Sequence, residues 1–581
     1  MKTYRIHPAI GVARLGNADR TDPDGMFIGP EVPGVPANFD TATRKFGSFK
    51  LQGRVKAQGA RFRIWEYEDV GGILKPVREI NLDSAEVTGL EWKVTLANRK
   101  ASFFKFEGQK GATDNFATNT RRNASVPDAD RRKKLEMEET GVISGKSTTR
   151  KELRNSNTNI PIGLLGELRT DEAGRLIVLG GEGVSKSISG ATLDDYANND
   201  DWFDDISDGT VDAKLTLKNS DGTVSDVPVE GAWVLVAPPD FAPSIGNVVN
   251  LYDTLWSGVV QNGDVPSNEA VYLDGGALHN LKVQRDSWQT SQALPAEYLP
   301  SFVWEILPIL KRGLDMGWVH SQLKFDADGP TSFHFRLSPD QWGAMAIPSS
   351  PAAVRNSVFR RMQVPGADSV WNAMPRSLGD EPYGGGLKSQ VLLTLTPIQY
   401  AILQKWKDGK FANDPPYPAT GLPMGPDITP WGLDRAALEN CVGGAFFPGI
   451  EASWLVRRKE IYSSPFRIKR GAKIGSLEVV AGFFSQQMAL PWQADFMLCK
   501  KEKAPPSLTI PAGQDVRYAW WPAQRPDDVF VGSDASAMEP WARGLENGVD
   551  LVNQWSTRGF VINEGDRHFE TEGPPSPSPA V

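Results

Sequence analysis

Two stretches of this 581-residue chain carry side chains whose types and placement could do chemistry. The first is Ile428-Thr-Pro-Trp-Gly-Leu-Asp-Arg-Ala-Ala-Leu-Glu-Asn-Cys441-Val-Gly-Gly-Ala-Phe-Phe-Pro-Gly-Ile-Glu451, which holds one of only two cysteines; the second is Leu490-Pro-Trp492-Gln-Ala-Asp495-Phe496. The first reads as a short helix with Asp434 as N-cap, Leu433 and Leu438 as a hydrophobic staple, and Gly443 and Gly444 as a left-handed stop. That places Cys441 at a helix end beside a glycine turn, where another group can approach closely enough for a covalent cross-link. Trp492 is one of 18 tryptophans, and by composition alone it belongs to a core. Asp495, three residues on, is a candidate acid/base group whose bland alternative is a surface or strand-end carboxylate. Asp434 is the second carboxylate of interest.

The elements that must position these residues are mostly strands. From Lys2 to about Gly108, short alternating apolar runs separated by Gly, Pro and Asp predict strands, most clearly over Arg61–Tyr67 and Glu91–Leu96. Residues 111–157 are polar and charge-dense and read as a surface excursion with a solvated face. Strands return over Arg175–Leu179 and Ala232–Ala237, the latter too evenly apolar to be exposed on one side. Val248–Trp256 and Tyr298–Met316 read as helical, the second broken by Pro300 and Pro308. A helix is predicted to start with Thr396 as N-cap and Pro397 as its first residue, and to stop at Gly409. Residues 411–431 are Pro/Gly-rich loop, and Ile474–Ala481 reads as a strand. The tail, 571–581, cannot pack a core and reads as disordered. The division is 1–110, 111–157, 158–395, 396–570 and 571–581, with no internal repeat.

Bulk properties narrow the function. A formal net charge of -8 argues against nucleic acid as partner. No run reaches the ~18 apolar residues a membrane span needs, and the first residues lack the apolar core of a signal peptide. The expectation is a cytoplasmic chain, or one exported by a non-classical route. Cys441 and Cys499 make no disulfide framework, and the five histidines show no metal-ligand spacing, so no metal is expected.

Cys441-Val-Gly-Gly-Ala-Phe-Phe-Pro-Gly-Ile-Glu451 with Pro491-Trp-Gln-Ala-Asp-Phe496 resembles the signature of the lysine 6-oxidase and glycine oxidase family. The opening Tyr4-Arg-Ile-His-Pro-Ala-Ile-Gly-Val-Ala-Arg-Leu-Gly-Asn17 and Phe27-Ile-Gly-Pro-Glu31 resemble it too. So do Gly166–Leu176, the acidic turn Asp205-Ile-Ser-Asp-Gly209, Pro238-Pro-Asp-Phe-Ala-Pro243 and Trp520-Trp-Pro-Ala-Gln-Arg525. The resemblance implies a protein-derived cofactor, cysteine tryptophylquinone, built from Cys441 and Trp492, with Asp495 as acid/base group. It implies oxidative deamination of a free amino acid, of lysine side-chain or glycine type, by dioxygen, releasing ammonia and hydrogen peroxide. It also implies a flavoprotein partner for maturation, since the chain shows no Gly-x-Gly-x-x-Gly fingerprint of its own. Where the family has an aspartate four residues before the cysteine, this chain has Ala437; Asp434, two helical turns before Cys441, is the candidate substitute. The expected fold is α+β and predominantly β, a large mixed multi-sheet fold with short helices around the cofactor site. A cofactor-free or partly matured relative acting as a binding scaffold is the alternative, and a homo-oligomer stays open.

Overall fold

The computed structural model describes residues 1–107, 120–148, 150–321, 339–381, 388–413, 425, 428–444, 447–519, 523–532, 538–565 and 567–575. Among them the fold is predominantly β, as expected, with short helices and one large mixed sheet of 14 strands. Along its path lie Met137–Ser144, Val87–Asn98, Ser207–Lys218, Ala232–Ala237, Ile10–Arg14, Ala57–Val70, Leu176–Leu179, Leu164–Thr170 and Lys151–Arg154. Lys2–His7 pairs antiparallel with Ala57–Val70 at one side, in register Tyr4↔Glu66 and Ile6↔Ile64. The strands expected over 61–67, 91–96, 175–179 and 232–237 all lie within this sheet.

Ala232–Ala237 is buried at every residue. It runs parallel to Ile10–Arg14 and antiparallel to Ser207–Lys218, so it lies between paired neighbours on both edges. One face of the strand carries Trp233, whose ring meets Phe484 edge-on at 5.6 Å while its indole N–H donates to Asp208 Oδ2 at 3.0 Å. The indole can be buried because that N–H has a partner. Burying each Val or Leu of this strand contributes about 1.5–3 kcal/mol, which is why an all-apolar run settles in the middle of the sheet rather than at its edge.

The helices follow their local signals unevenly. Pro397–Lys407 starts as expected, with a full capping box between Thr396 and Gln399 and Gly409 at φ +73 beyond its end. The helix expected over 248–256 runs instead over Leu251–Asn262, because Asn250 and Asp253 form the capping box. Residues 298–316 are broken as the prolines require, into a π-helical turn Phe302–Ile306 and the helix Leu307–Asp315 with Pro308 in its first turn. The strand expected over 474–481 is a two-residue hairpin of Lys473–Ile474 and Leu477–Glu478. Gly475 at φ +55 makes the turn that the apolar alternation concealed.

Residues 111–157, read as a surface excursion, include the helix Asp128–Leu135 and the sheet-edge strand Met137–Ser144. Part of the Pro/Gly-rich loop 411–431, part of the tail, Trp520-Trp-Pro522, Ala445-Phe446 and His334 lie outside the described residues.

Gly209 shows how closely two strands of the sheet are drawn together. A Cβ there would sit 1.7 Å from the Thr95 carbonyl oxygen of the paired strand. Gly209→Ala is expected to destabilise the chain by about 3 kcal/mol or more, because backbone rather than a side-chain tip must give way; urea unfolding measures it.

Candidate active site

The helix before Cys441 is Pro430–Glu439, and its N-cap is Thr429, whose hydroxyl accepts from the Gly432 N–H at 3.1 Å, with Pro430 as first residue. Asp434, read from the sequence as the cap, sits a turn further in. Its Oδ1 accepts from the Ala9 N–H (2.5 Å) and pairs with His7 Nδ1 (2.9 Å), while His7 Nε2 meets the Tyr67 hydroxyl at 2.9 Å. Burial works against the charged Asp434 carboxylate, but His7, Arg467 and the Ala9 N–H outweigh it and hold the group below the usual range. Asp434 is therefore spent on fastening this helix to the N-terminal strand.

Neither Gly443 nor Gly444 is left-handed, and the helix ends at Asn440 with φ −89. Gly443 serves close approach: its N–H donates to Val249 O at 2.9 Å, and a Cβ would lie 1.7 Å from Asn250 O. A neighbouring backbone does come close beside Cys441, though without the left-handed turn. Cys441 is fully buried, and its thiol donates to the Ala437 carbonyl at 3.2 Å. Burial, reinforced by Glu451, pushes that thiol well above its ordinary pKa, so it is neutral.

The charged groups beside Cys441 are ones the sequence reading passed over. Arg14 donates to Glu451 Oε1 (2.8 Å), Asn440 O (3.0 Å) and Pro238 O (3.0 Å), and Glu451 Oε2 accepts from the Val442 N–H at 3.2 Å. Burial pushes Asp240 up to about 6, and Glu451 upward as well. Both acids stand in stretches already singled out, Glu451 closing the cysteine motif and Asp240 inside Pro238–Pro243. The signal was present, but nothing local says that they converge with Arg14.

Trp492 opens the helix Trp492–Leu498. Its backbone N–H donates to Asp204 Oδ2 at 3.1 Å, and its ring stands edge-on to Phe496 (5.1 Å) and Trp555 (5.8 Å). The indole nitrogen is buried without a hydrogen-bond partner among the described residues. Asp204 is ion-paired with Lys100, both side chains being fully buried, and accepts from Asn98 Nδ2 at 3.0 Å. Asp495 lies one turn along, buried, with Oδ1 unpartnered among the described residues. Burial raises its carboxyl well above the usual range, against the opposing pull of the Cys499 thiol, Lys100 and Arg525. Its burial excludes the bland reading of a surface carboxylate.

One segment ties both halves. Gln524 Nε2 donates to Asn440 O (3.3 Å), next to Cys441, and Arg525 Nε donates to Phe496 O (2.6 Å) in the Trp492 helix. Cys441 and Trp492 belong to the same continuous core. Two cavities flank the cysteine helix, one of about 930 Å³ reaching Gly443 and Gly444 and one of about 540 Å³ reaching Asn440; Cys441, Trp492 and Asp495 line neither. Among the described residues no group of three or more His, Cys, Asp or Glu could hold a metal ion, and no helix is long and apolar enough to cross a membrane.

Two family models, for the N-terminal part and the C-terminal domain of L-lysine ε-oxidases, match residues 7–236 and 375–521. The chain belongs to the L-lysine ε-oxidase family. It is 27% identical to L-lysine 6-oxidase of Marinomonas mediterranea over 98% of this chain and 88% of that protein. Crystal structures of the L-Lys ε-oxidase of that organism, alone and with L-Lys, superpose with a TM-score of 0.74 at 24% identity, covering 98% of this chain and 95% of theirs. The C-terminal family model takes in Cys441, Trp492 and Asp495 together, while Asp240 falls between the two models.

The Lys100–Asp204 pair makes a sharp stability prediction for this family member. Lys100→Met leaves a buried carboxylate unpaired and should cost about 3–5 kcal/mol, whereas Lys134→Met, removing the exposed i,i+4 pair with Asp130, should cost about 0.5 kcal/mol or less. Urea unfolding of both variants reads the contrast.

A pH dependence follows from Asp205, which burial raises to about 7 although it accepts from the Glu182 and Val184 N–H groups. Its folded pKa exceeds the unfolded value of about 4, so the native state binds the extra proton. The stability it contributes is full below about pH 4 and is lost as pH rises through about 7. Asp205→Asn should flatten that part of the stability–pH curve; an unchanged curve would show the carboxyl ionised in the native state.

Proposed function

We propose that this chain is a quinone-dependent amino-acid oxidase whose cofactor, cysteine tryptophylquinone, is made from Cys441 and Trp492. The net reaction converts a primary amine, water and dioxygen to an aldehyde, ammonia and hydrogen peroxide. The observation that carries the reading is that a neutral, buried thiol and a buried indole with an unpartnered nitrogen both fall inside the C-terminal family model, joined through Gln524 and Arg525. The relative's substrate, lysine, favours a side-chain amine over the glycine type. The cofactor supplies an electrophilic carbonyl that accepts the substrate's amine and two electrons.

The chain's own residues hold and move protons around it. Asp495, buried one turn from Trp492, is the carboxyl that in its ionised form, which Lys100 and Arg525 favour, can take the proton from the substrate carbon. Asp204 and Lys100 fix the start of the Trp492 helix, and with it the indole's depth in the core. Beside Cys441, Asp240 and Glu451 are the carboxyls that can take the thiol proton as the thioether forms, in place of the aspartate absent at Ala437. Asp434 is committed to His7 and Ala9 and does not serve there. Hydroxylating the indole needs an oxidant from outside the chain, which is the role of the flavoprotein partner.

The test is the mass of the mature protein. When the chain is made beside its maturation partner, the Cys441 and Trp492 peptides should travel together in a digest, heavier than their sum by two oxygens less four hydrogens. Cys499 alone should label with a thiol reagent after denaturation. Asp495→Asn should keep the cross-link and lose about 100-fold or more in peroxide release with lysine. Two separable, unmodified peptides would reject the oxidase and leave the cofactor-free binding scaffold.

A further inference from the structure

The cavity of about 540 Å³ beside Asn440 lies within the size range of small-molecule sites. Its walls combine two kinds of surface. Tyr252, Trp256, Trp304 and Trp431 give an aromatic lining, and Arg312, Arg435 and Asp253 present charge. All of these except Arg435 and Trp431 come from residues 237–374, which neither family model matches.

What singles the cavity out is unspent hydrogen-bonding capacity. Arg435 uses only Nε, donating to Glu439 Oε2 at 2.8 Å, while its guanidinium lies over the Tyr252 ring at 5.3 Å. Its Nη1 and Nη2 have no partner among the described residues. Arg312 spends Nε on Pro308 O (3.1 Å) and Nη1 on Asp253 Oδ2 (2.8 Å), leaving Nη2. Asp253 Oδ2 is saturated, accepting also from the Asn250 N–H (3.1 Å) and Gln399 Nε2 (2.9 Å), whereas Oδ1 accepts nothing among those residues.

Polar capacity of both signs, opening on one aromatic chamber, selects its ligand. A simple anion would meet Arg435 but also Asp253, Glu439 and Asp315, and a simple amine would meet both arginines. A molecule with a carboxylate and an ammonium on one carbon satisfies both: guanidinium forks suit carboxylates, and the open Asp253 oxygen takes the ammonium. The aromatic faces then accept an unbranched side chain or a second cation. We infer that this cavity binds a free zwitterionic amino acid, at a site distinct from Trp492, which does not line it. The inference does not need the quinone.

The experiment uses the full-length parent chain and Cys441→Ser, which cannot form the cross-link. Titration with L-norleucine, L-lysine, hexanoate and hexylamine is followed by calorimetry and by the fluorescence of the cavity tryptophans. The two zwitterions should bind saturably to both proteins, and the singly charged probes about tenfold more weakly or worse, a difference of about 1.4 kcal/mol. Arg435→Met and Asp253→Asn should each weaken norleucine by about tenfold or more. No saturable binding, equal binding of hexanoate or hexylamine, or Arg435→Met binding like the parent would overturn the proposal. The comparison of probes on the parent chain decides even where a variant fails to fold. Norleucine binding to Cys441→Ser, with no oxidase activity in the matured parent, would uphold this site while rejecting the proposed function.

Discussion

A buried ion pair is a poor stabiliser and a good locator, and the Trp492 side of the site rests on one. Removing Lys100 and Asp204 from water costs several kcal/mol per charge, recovered only if their remaining hydrogen-bonding positions are met. On the Asp204 side they are met here by the residues around the strand end and the helix start. Asn98 donates to Asp204 Oδ1 and to its carbonyl, the Lys100 carbonyl accepts from Arg122, and Asp204 Oδ2 takes the Trp492 N–H. Arg122 continues the arrangement by donating to Met488 O at 2.9 Å. Because each group is satisfied in only one geometry, the indole's position is fixed by polar groups in an otherwise apolar core.

Arg14 plays the corresponding part for the cysteine, from the other end of the sequence. It stands at the end of Ile10–Arg14, whose neighbour Ala232–Ala237 is the most deeply buried strand of the sheet, so it is held by backbone that cannot readily move. From there it binds the carbonyl before Cys441 and the carboxylate of Glu451, tying both ends of the cysteine loop to the sheet. His7 and Ala9 do the same for the start of the helix through Asp434. The N-terminal strands are thus part of the site's scaffold although none of the reacting atoms lies on them.

What could be read from the sequence was what is local. The Thr396–Pro397 start was legible because N-cap, first-turn proline and Gln399 are within four residues of one another. The same signature, Thr429–Pro430, marks the true start of the Cys441 helix. Asp434 obscured it, since an aspartate before apolar residues is also a common cap, and only the approach of Ala9 reveals its other partner. Cys441, Trp492 and Asp495 were proposed through motif resemblance rather than through physics. Lys100, Asp204, Arg14 and Asp240 were not legible, because their partners lie 104 to 437 positions away in the case of Lys100–Asp204 and Arg14–Glu451. Non-local pairing leaves no period or spacing in a single sequence.

The charge state of the whole region follows from this construction. Burial raises the carboxyls of Asp495, Asp240 and Glu451, while buried Lys100, Arg14 and Arg525 stand beside them. A site built with ionised acids would hold its protons too weakly to return them, and one built without cations could not accept a transient carboxylate. Acids raised by burial beside buried cations sit between these limits, because losing a proton turns a desolvated acid into half of an ion pair. In the proposed reaction the energetic penalty of burial is thereby partly returned when such a carboxyl ionises. For Asp495 the returning partners are Lys100 and Arg525, and Lys100 is also the residue that holds Asp204, and through it Trp492, in place. Positioning the ring and setting the proton affinity beside it are consequently one constraint rather than two, and a change at Lys100 cannot alter either alone.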